Sequence, residues 1–157
     1  MGALMDLIAG DARDILLVVS VDEWASLLDR SRFPAHVSLG GRMDPIWLDL
    51  FAQAARETAG NDRPGPFSEA TRRLEARQIA FADRAVERVD PHWVDEVAFL
   101  PDSYLDRIAA RWIDLIDREE CDVDPEEKPM LRGLAGDLVD FCRRSQSAED
   151  VLFVRSL

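Results

Sequence analysis

Apolar residues recur at intervals of three and four along three long stretches of the chain, and this period predicts amphipathic α-helices. The stretches run over residues 45–58, 103–119 and 125–145. In the first stretch the side chains predicted to share one face are Trp47, Leu50, Phe51, Ala54 and Ala55. Pro129 lies within the first turns of the third, where a missing backbone N–H costs little. Each stretch therefore predicts a helix with one face directed to a core.

Shorter apolar stretches predict β-strands. Residues 15–19 form a continuous β-branched and aliphatic run, which is typical of a strand buried on both faces, although a helix continuing from Asp11 also fits. Residues 35–39 alternate between apolar and polar as a half-buried strand does. Residues 79–89 predict one or two short strands, the main one at 84–89, and residues 151–155 predict a strand that would close the fold.

Weaker signals lie between these elements. Ser20 and Glu23 have the spacing of a capping box, which predicts a helix reaching about residue 30. Residues 68–78 are charged and weakly amphipathic, and we expect a helix there. Residues 60–66, Gly-Asn-Asp-Arg-Pro-Gly-Pro, give the strongest loop signal in the chain. This loop is the candidate for a mobile lid or an internal boundary.

The pattern Asp-Pro-x-Trp-x-Asp occurs twice, at residues 44–49 and 90–95. In each copy the aspartate can cap a helix by accepting backbone N–H bonds, and proline fits the first helical position because no N–H is needed there. A related start without the aromatic residue occupies residues 124–127. The repeat therefore predicts helix starts rather than a catalytic motif.

The order of these elements predicts an α+β or α/β fold. We expect a small mixed sheet of about four to five strands, packed by about six helices. A chain of 157 residues is the size of one domain and can bury a substantial core. We therefore expect residues 1–157 to form a single globular domain, with 60–66 as a loop inside it.

The same order resembles the YfbM-like family of uncharacterised bacterial proteins. Three pieces carry the resemblance: the first predicted strand with its capped helix at residues 15–24, the middle unit at 86–97, and a final helix-to-strand unit running from 138–142 to 151–154. The resemblance extends over most of the chain. It implies a fold and brings no reaction, cofactor or catalytic residue.

The chain is strongly acidic. Its 31 acidic and 19 basic residues give a formal net charge of −12. Binding to nucleic acid depends on cations that displace the counterions of the phosphates, so nucleic acid is not an expected partner. A basic protein or a small ligand fits this charge better. Lys128 is the only lysine beside many arginines, a bias typical of GC-rich bacterial genomes.

Membrane and secretory signals are weak throughout. No apolar run approaches the roughly 20 residues that a transmembrane helix needs, and residues 1–8 lack the basic start of a signal peptide. Cys121 and Cys142 are too few for a secreted disulfide framework. We therefore expect a cytoplasmic protein that does not bind a membrane, with free thiols.

His36 and His92 are the only histidines, too few for a three-histidine zinc site, although either could act as a general base. Trp47 and Trp93 occupy matching turns of the two Asp-Pro helices. One interpretation places both indoles in the core, and another has them line a single cleft or partner surface. These four residues are the candidate binding residues.

The acidic segment 117–127 suggests calcium, but no glycine stands at the sixth position of an EF-hand loop counted from Asp122. We interpret it as a solvated connection between helices, capped by Asp124. Phosphate-binding and nucleophile-elbow motifs are missing from the sequence. We expect neither a metal nor a cofactor.

The first hypothesis for function is a binding domain without catalysis, of the immunity or inhibitor type, acting on a basic partner. Complementary charge would raise the rate of association with such a partner. The alternative is an enzyme of unknown reaction with its site near the loop 60–66. Self-association as a homo-oligomer remains open beside both.

Overall fold

Five strands and five α-helices make up the regular structure of the residues that the structure describes. The computed structural model describes residues 5–40, 43–60, 64–74, 84–120 and 124–156. The elements are β1 Met5–Gly10, α1 Ala12–Ser20, β2 Ala35–Ser38, α2 Ile46–Ala59, β3 Thr71–Arg73, β4 Arg84–Val89, α3 Pro91–Ala98, α4 Leu105–Glu120, α5 Lys128–Ser145 and β5 Asp150–Ser156. Short 3-10 helices cover Trp24–Leu28, Phe67–Glu69 and Asp102–Tyr104.

The strands form one sheet in the order β2-β1-β5-β4-β3, and every neighbouring pair is antiparallel. The predicted α+β class and single domain are confirmed. The expected mixed sheet is wrong, since all four neighbouring strand pairs are antiparallel. The described residues form five α-helices where about six were expected.

Hydrophobic side chains fill both faces of the sheet. On one face, α2, α3, α4 and α5 pack against Leu7, Val89 and Phe153 in the larger cluster. On the other face, α1 and the 3-10 helix Trp24–Leu28 cover Ile8 and Leu152 in a smaller cluster. The sheet is therefore the middle of three layers. None of the described helices has both the length and the apolar character that a membrane span requires.

The strand predicted at residues 15–19 is wrong, and the helical alternative is confirmed. This segment lies in α1, which begins at the Asp11 cap. Ile15, Val18 and Val19 are buried, but Leu17 is 58% exposed, so the continuous apolar run conceals a helix with one buried face. The first strand is instead β1, directly before the cap.

The capping box predicted at Ser20 does not form. Ser20 ends α1, and its hydroxyl donates a 2.8 Å hydrogen bond to the carbonyl of Leu17 in the preceding turn. The helix expected to reach residue 30 is a five-residue 3-10 helix that buries Leu27 and leaves Leu28 exposed.

The helix predicted at residues 68–78 is also wrong over its described part. A 3-10 helix at Phe67–Glu69 leads directly into β3, which pairs with β4. Pairing with a neighbouring strand overrides a weak helical period here. Residues 75–83 lie outside the described part of the chain.

The remaining predicted elements are confirmed. The strands predicted at residues 35–39, 84–89 and 151–155 are β2, β4 and β5. The first Asp-Pro motif starts α2, but Pro45 rather than Asp44 is the residue directly before the helix, and Asp44 Oδ1 accepts from the N–H of Ile46 in the turn that leads into it. The two longest helices also form where their period predicts them, although α5 begins at Lys128 rather than at residue 125. The predicted cap at Asp124 is wrong, because Glu127 is the residue before α5 and Asp124 Oδ1 accepts from the N–H of Glu126 in the preceding turn.

Candidate functional site

Each histidine lies beside a carboxylate, and the two pairs are near opposite edges of the sheet. His36 Nε2 is 2.8 Å from Asp6 Oδ1, at the edge formed by β2. His92 Nε2 is 2.8 Å from Glu96 Oε1 on α3, beside the edge formed by β3. The two predicted histidines therefore belong to two separate sites.

The first pair joins β1 to β2. Asp6 is 4% exposed and has the buried Ile8 and Val154 among its neighbours on this face of the sheet. His36 stands opposite Ile8 in the ladder, which brings its ring diagonally to Asp6 on the same face. A buried carboxylate needs a partner, and His36 supplies it.

A groove of about 350 Å³ runs along β2 beside this pair. We call it the edge groove. His36 and Ser38 line it from β2, Arg30 from the loop before β2, and Asp137, Asp140 and Arg144 from α5. Arg144 Nε lies 2.9 Å from Asp140 Oδ2, so part of the charge is neutralised within the groove. The edge groove thus carries both signs of charge.

The second pair lies at the start of α3. Asp90 caps this helix by accepting a 2.9 Å hydrogen bond from the N–H of His92. The Asp90 N–H donates to the carbonyl of Ala70, and the indole Nε1 of Trp93 donates to the carbonyl of Gly65. These two bonds, of 2.7 and 2.9 Å, hold the segment before β3 against the helix start.

A second groove, of about 240 Å³, lies between that segment and α3. We call it the acidic groove; it is lined by Gly65, Pro66, Glu69, Ala70, Asp90, His92, Trp93 and Glu96. No lysine or arginine is among these described lining residues, whereas Arg72 and Arg88 line the adjoining groove. Glu69 and Asp90 therefore make this groove electronegative, beside Glu96, which pairs with His92.

Trp93 is an anchor at the floor of the acidic groove. It is 3% exposed, and its ring meets Phe67 edge-on with centroids 5.0 Å apart. Trp47 is 5% exposed and lies in the core at the start of α2. The two indoles thus do not present a shared open surface, and their burial favours the interpretation as core anchors.

The structure therefore brings together His92 and Trp93, beside the described end of the loop 60–66, and leaves His36 and Trp47 apart from them. Sequence reasoning missed Asp6, Glu69 and Glu96. A signal existed for Glu96 alone, because residues four apart on a helix are neighbours. The other two reach their sites through tertiary pairing.

Metal and thiol chemistry find no support in the described residues. These contain no group of three His, Cys, Asp or Glu side chains that could hold a metal ion. In the acidic segment, Asp117 lies 3.6 Å from Lys128, and residues 121–123 are outside the described part. Cys142 is fully buried, and burial raises the pKa of its thiol far above the ordinary range.

Comparison with protein-family models, curated proteins and solved structures finds no match to this chain. The resemblance to the YfbM-like family stays a prediction.

Proposed function

We propose that the chain is a binding domain for a basic protein, and that its acidic groove receives a cationic side chain of that partner. The observation that carries the proposal is a groove with three lining carboxylates, from Glu69, Asp90 and Glu96, and no described lysine or arginine. The role that fits is that of an immunity or inhibitor protein in the bacterial cytoplasm.

Electrostatics favours this occupant. A unit charge 4 Å from an opposite charge gains about 4 kcal/mol at the effective dielectric of a protein surface, compared with about 1 kcal/mol in water. A partner's arginine or lysine would meet several carboxylates at once. Part of this gain offsets the desolvation of the groove, so the carboxylates contribute specificity as well as affinity.

The net charge acts at longer range. A chain with a formal charge of −12 attracts a basic partner before contact, and such steering raises association rates about 10- to 1,000-fold at low salt. The effect falls within a Debye length of about 8 Å at physiological ionic strength. The proposal thus requires binding that weakens as salt is added.

The enzyme alternative has one observation in its favour. His92 lies 2.8 Å from Glu96, and the groove adjoins Gly65 and Pro66 of the loop 60–66. A carboxylate that orients an imidazole is the arrangement of a general base. However, the side chain of His92 is 65% exposed, and the described lining contains no serine or cysteine nucleophile. Binding is therefore the function that the groove supports better.

Calorimetry with a capped hexa-arginine peptide tests the proposal. We expect binding to the wild-type protein at low salt, and about tenfold weaker binding to the Glu69→Gln/Glu96→Gln variant, equivalent to about 1.4 kcal/mol. The matched control is Glu23→Gln/Glu126→Gln, which removes the same formal charge from exposed positions away from the groove.

Two results would contradict the proposal. Equal weakening by both variants would mean that the peptide responds to the overall charge and not to the groove. Affinity that does not change between low and physiological salt would mean that the carboxylates do not hold the peptide at all.

A further inference from the structure

The outer edge of β2 has backbone groups that β1 does not use. The N–H of Leu39 donates a 2.8 Å hydrogen bond to the carbonyl of Met5, which fixes the hydrogen-bonded register of the two strands. Hydrogen-bonded and non-hydrogen-bonded pairs alternate along an antiparallel ladder. Val37 and Ala35 therefore bond to β1, while the N–H and carbonyl groups of His36 and Ser38 point away from it.

Within the described ranges these outward groups have no partner strand. β2 is the last strand on its side of the sheet, and among the described residues no hydrogen bond to the main chain of His36 or Ser38 closes this edge. Unpaired edge groups are a template for another strand. Two outward residues of one strand stand about 7 Å apart, which is the repeat of an extended polypeptide.

The edge groove lies at the same residues. Its cavity of about 350 Å³ is bounded by His36 and Ser38 on one side and by α5 on the other. The helix α5 thus forms the side wall of the groove, and it leaves open the space beside β2. The bond from His36 Nε2 to the buried Asp6 fixes the strand that forms the floor.

Charge selects the occupant. Asp137 and Asp140 face the groove from α5, and Arg144 pairs with Asp140. Arg30 also lines the groove, but its guanidinium donates to two backbone carbonyls, so Asp137 is in no ion pair among the described residues. A basic residue on the incoming segment would meet Asp137. A second copy of this chain would instead bring another formal charge of −12 to the contact.

We infer that an extended segment of the basic partner adds to β2 as a further strand, bonded to the main chain of His36 and Ser38 in the edge groove. This mode of recognition takes its affinity from backbone hydrogen bonds and its specificity from alternate side chains. The inference rests on the proposed function only for the positive charge of the partner.

Substitution of Ser38 separates the backbone contribution from that of the side chain. Ser38→Pro removes an outward N–H but leaves the bonds between β2 and β1 intact, because proline is tolerated on an edge strand where the N–H faces away from the sheet. Ser38→Ala keeps the N–H and removes only the hydroxyl. The probe is a capped, fluorescently labelled heptapeptide of alternating arginine and threonine, and the readout is fluorescence anisotropy.

We expect the heptapeptide to bind the wild-type protein and Ser38→Ala with affinities that agree within about twofold. Binding to Ser38→Pro should be at least about tenfold weaker, since a strand that loses a backbone bond loses its register as well. Circular dichroism establishes that each variant is folded. If Ser38→Pro does not fold, the same peptide with alternate N-methyl groups, offered to the wild-type protein, must lose binding by a similar factor.

Several outcomes overturn the inference: no binding of the heptapeptide to the wild-type protein, equal binding to Ser38→Pro, or a dimer in sedimentation that Ser38→Pro abolishes. If the Glu69→Gln/Glu96→Gln variant binds the heptapeptide more weakly than the wild-type protein and the Ser38→Pro variant does not, the proposed function stands and the inferred strand addition is wrong. If only Ser38→Pro weakens binding of the heptapeptide, the acidic groove is not the binding site and the inferred strand addition stands.

Discussion

The indole Nε1 of Trp112 donates a 2.8 Å hydrogen bond to the backbone carbonyl of Trp47. This bond ties the middle of α4 to the first turn of α2 inside the larger core cluster. Trp112 is fully buried and also meets Phe51 edge-on, with ring centroids 5.3 Å apart. One side chain thus connects two helices through a polar contact and an aromatic contact.

We expect Trp112→Phe to lower the free energy of unfolding by about 1–3 kcal/mol, because the hydrogen bond from the buried indole to the carbonyl of Trp47 is lost. The space left by the smaller ring adds to this loss. Urea unfolding measures it. The control is Trp24→Phe, at a partly exposed position, where we expect a change within about 0.5 kcal/mol. Equal losses in the two variants would contradict the role assigned to the bond.

His36→Leu should destabilise the protein by about 1–3 kcal/mol, because it leaves the buried carboxylate of Asp6 without its partner. Asp6→Leu combined with His36→Leu should recover most of that loss, since two apolar side chains need no partner. The measurement is urea unfolding of the single and double variants. If the double variant is less stable than His36→Leu, the pair does more than satisfy a buried carboxylate.

Asp90 has two roles that substitution can separate. Asp90→Ala removes the cap of α3 and should cost about 1 kcal/mol of stability, whereas Asp90→Asn retains a capping oxygen and should cost little. Both variants remove one charge from the acidic groove, so both should bind hexa-arginine more weakly. Thermal unfolding and calorimetry distinguish the two effects. Unchanged peptide affinity in both variants would exclude Asp90 from the binding surface.

The start of α1 should make stability depend on pH. Asp11 accepts hydrogen bonds from the N–H groups of Asp14 and Arg13, which lower its pKa. A hydrogen bond with Asp11, together with the charge of Asp11, raises the pKa of Glu149. A carboxyl group with a raised folded-state pKa stabilises the fold below its unfolded pKa and loses that contribution as the pH rises through the folded value.

We therefore expect Glu149→Gln to raise the midpoint of thermal unfolding at pH 7, where ionised Glu149 would face Asp11. The gain should shrink towards pH 4, where the wild-type side chain is protonated. The control is Glu23→Gln at another exposed position. A gain of the same size at both pH values would show that the Asp11–Glu149 contact does not hold the proton.

The thiol of Cys142 should be unreactive in the folded protein. Its thiol is fully buried in α5, and that burial raises its pKa, so the reactive thiolate is suppressed. In a Cys121→Ser variant, we expect a thiol reagent to label Cys142 only when denaturant is added. The rate of labelling by mass spectrometry measures this. Prompt labelling in native buffer would show that the helix opens locally.

The sequence predicted those elements whose structure depends on residues close together in the chain. The helix start at Asp90 and the strand β4 follow from capping chemistry and alternation within a few residues. The apolar run 15–19 wrongly predicted a strand, because a helix that packs on a sheet can also carry an apolar residue such as Leu17 on its exposed side. β1 escaped prediction because Asp6 interrupts its apolar pattern, and its partner His36 lies far along the chain.

The candidate sites were predictable only in part. His92 and Trp93 were identified because they stand on a recognisable helix start, and Glu96 lies one turn further on. Glu69 joins them only because Asp90 bonds to the carbonyl of Ala70, a tertiary contact without a sequence pattern. The edge groove depends on strand order, which the sequence did not reveal.

The sheet order also constrains how the molecule assembles during synthesis. β5 follows the other described elements in chain order, yet it lies between β1 and β4, the inner strands of two otherwise separate pairs. During synthesis, the inner edges of the β1–β2 and β3–β4 pairs therefore stay without a partner strand until β5 leaves the ribosome. Nascent chains stalled before residue 150 should accordingly be targets for chaperones and proteases, and this vulnerability should end when β5 pairs with β1 and β4.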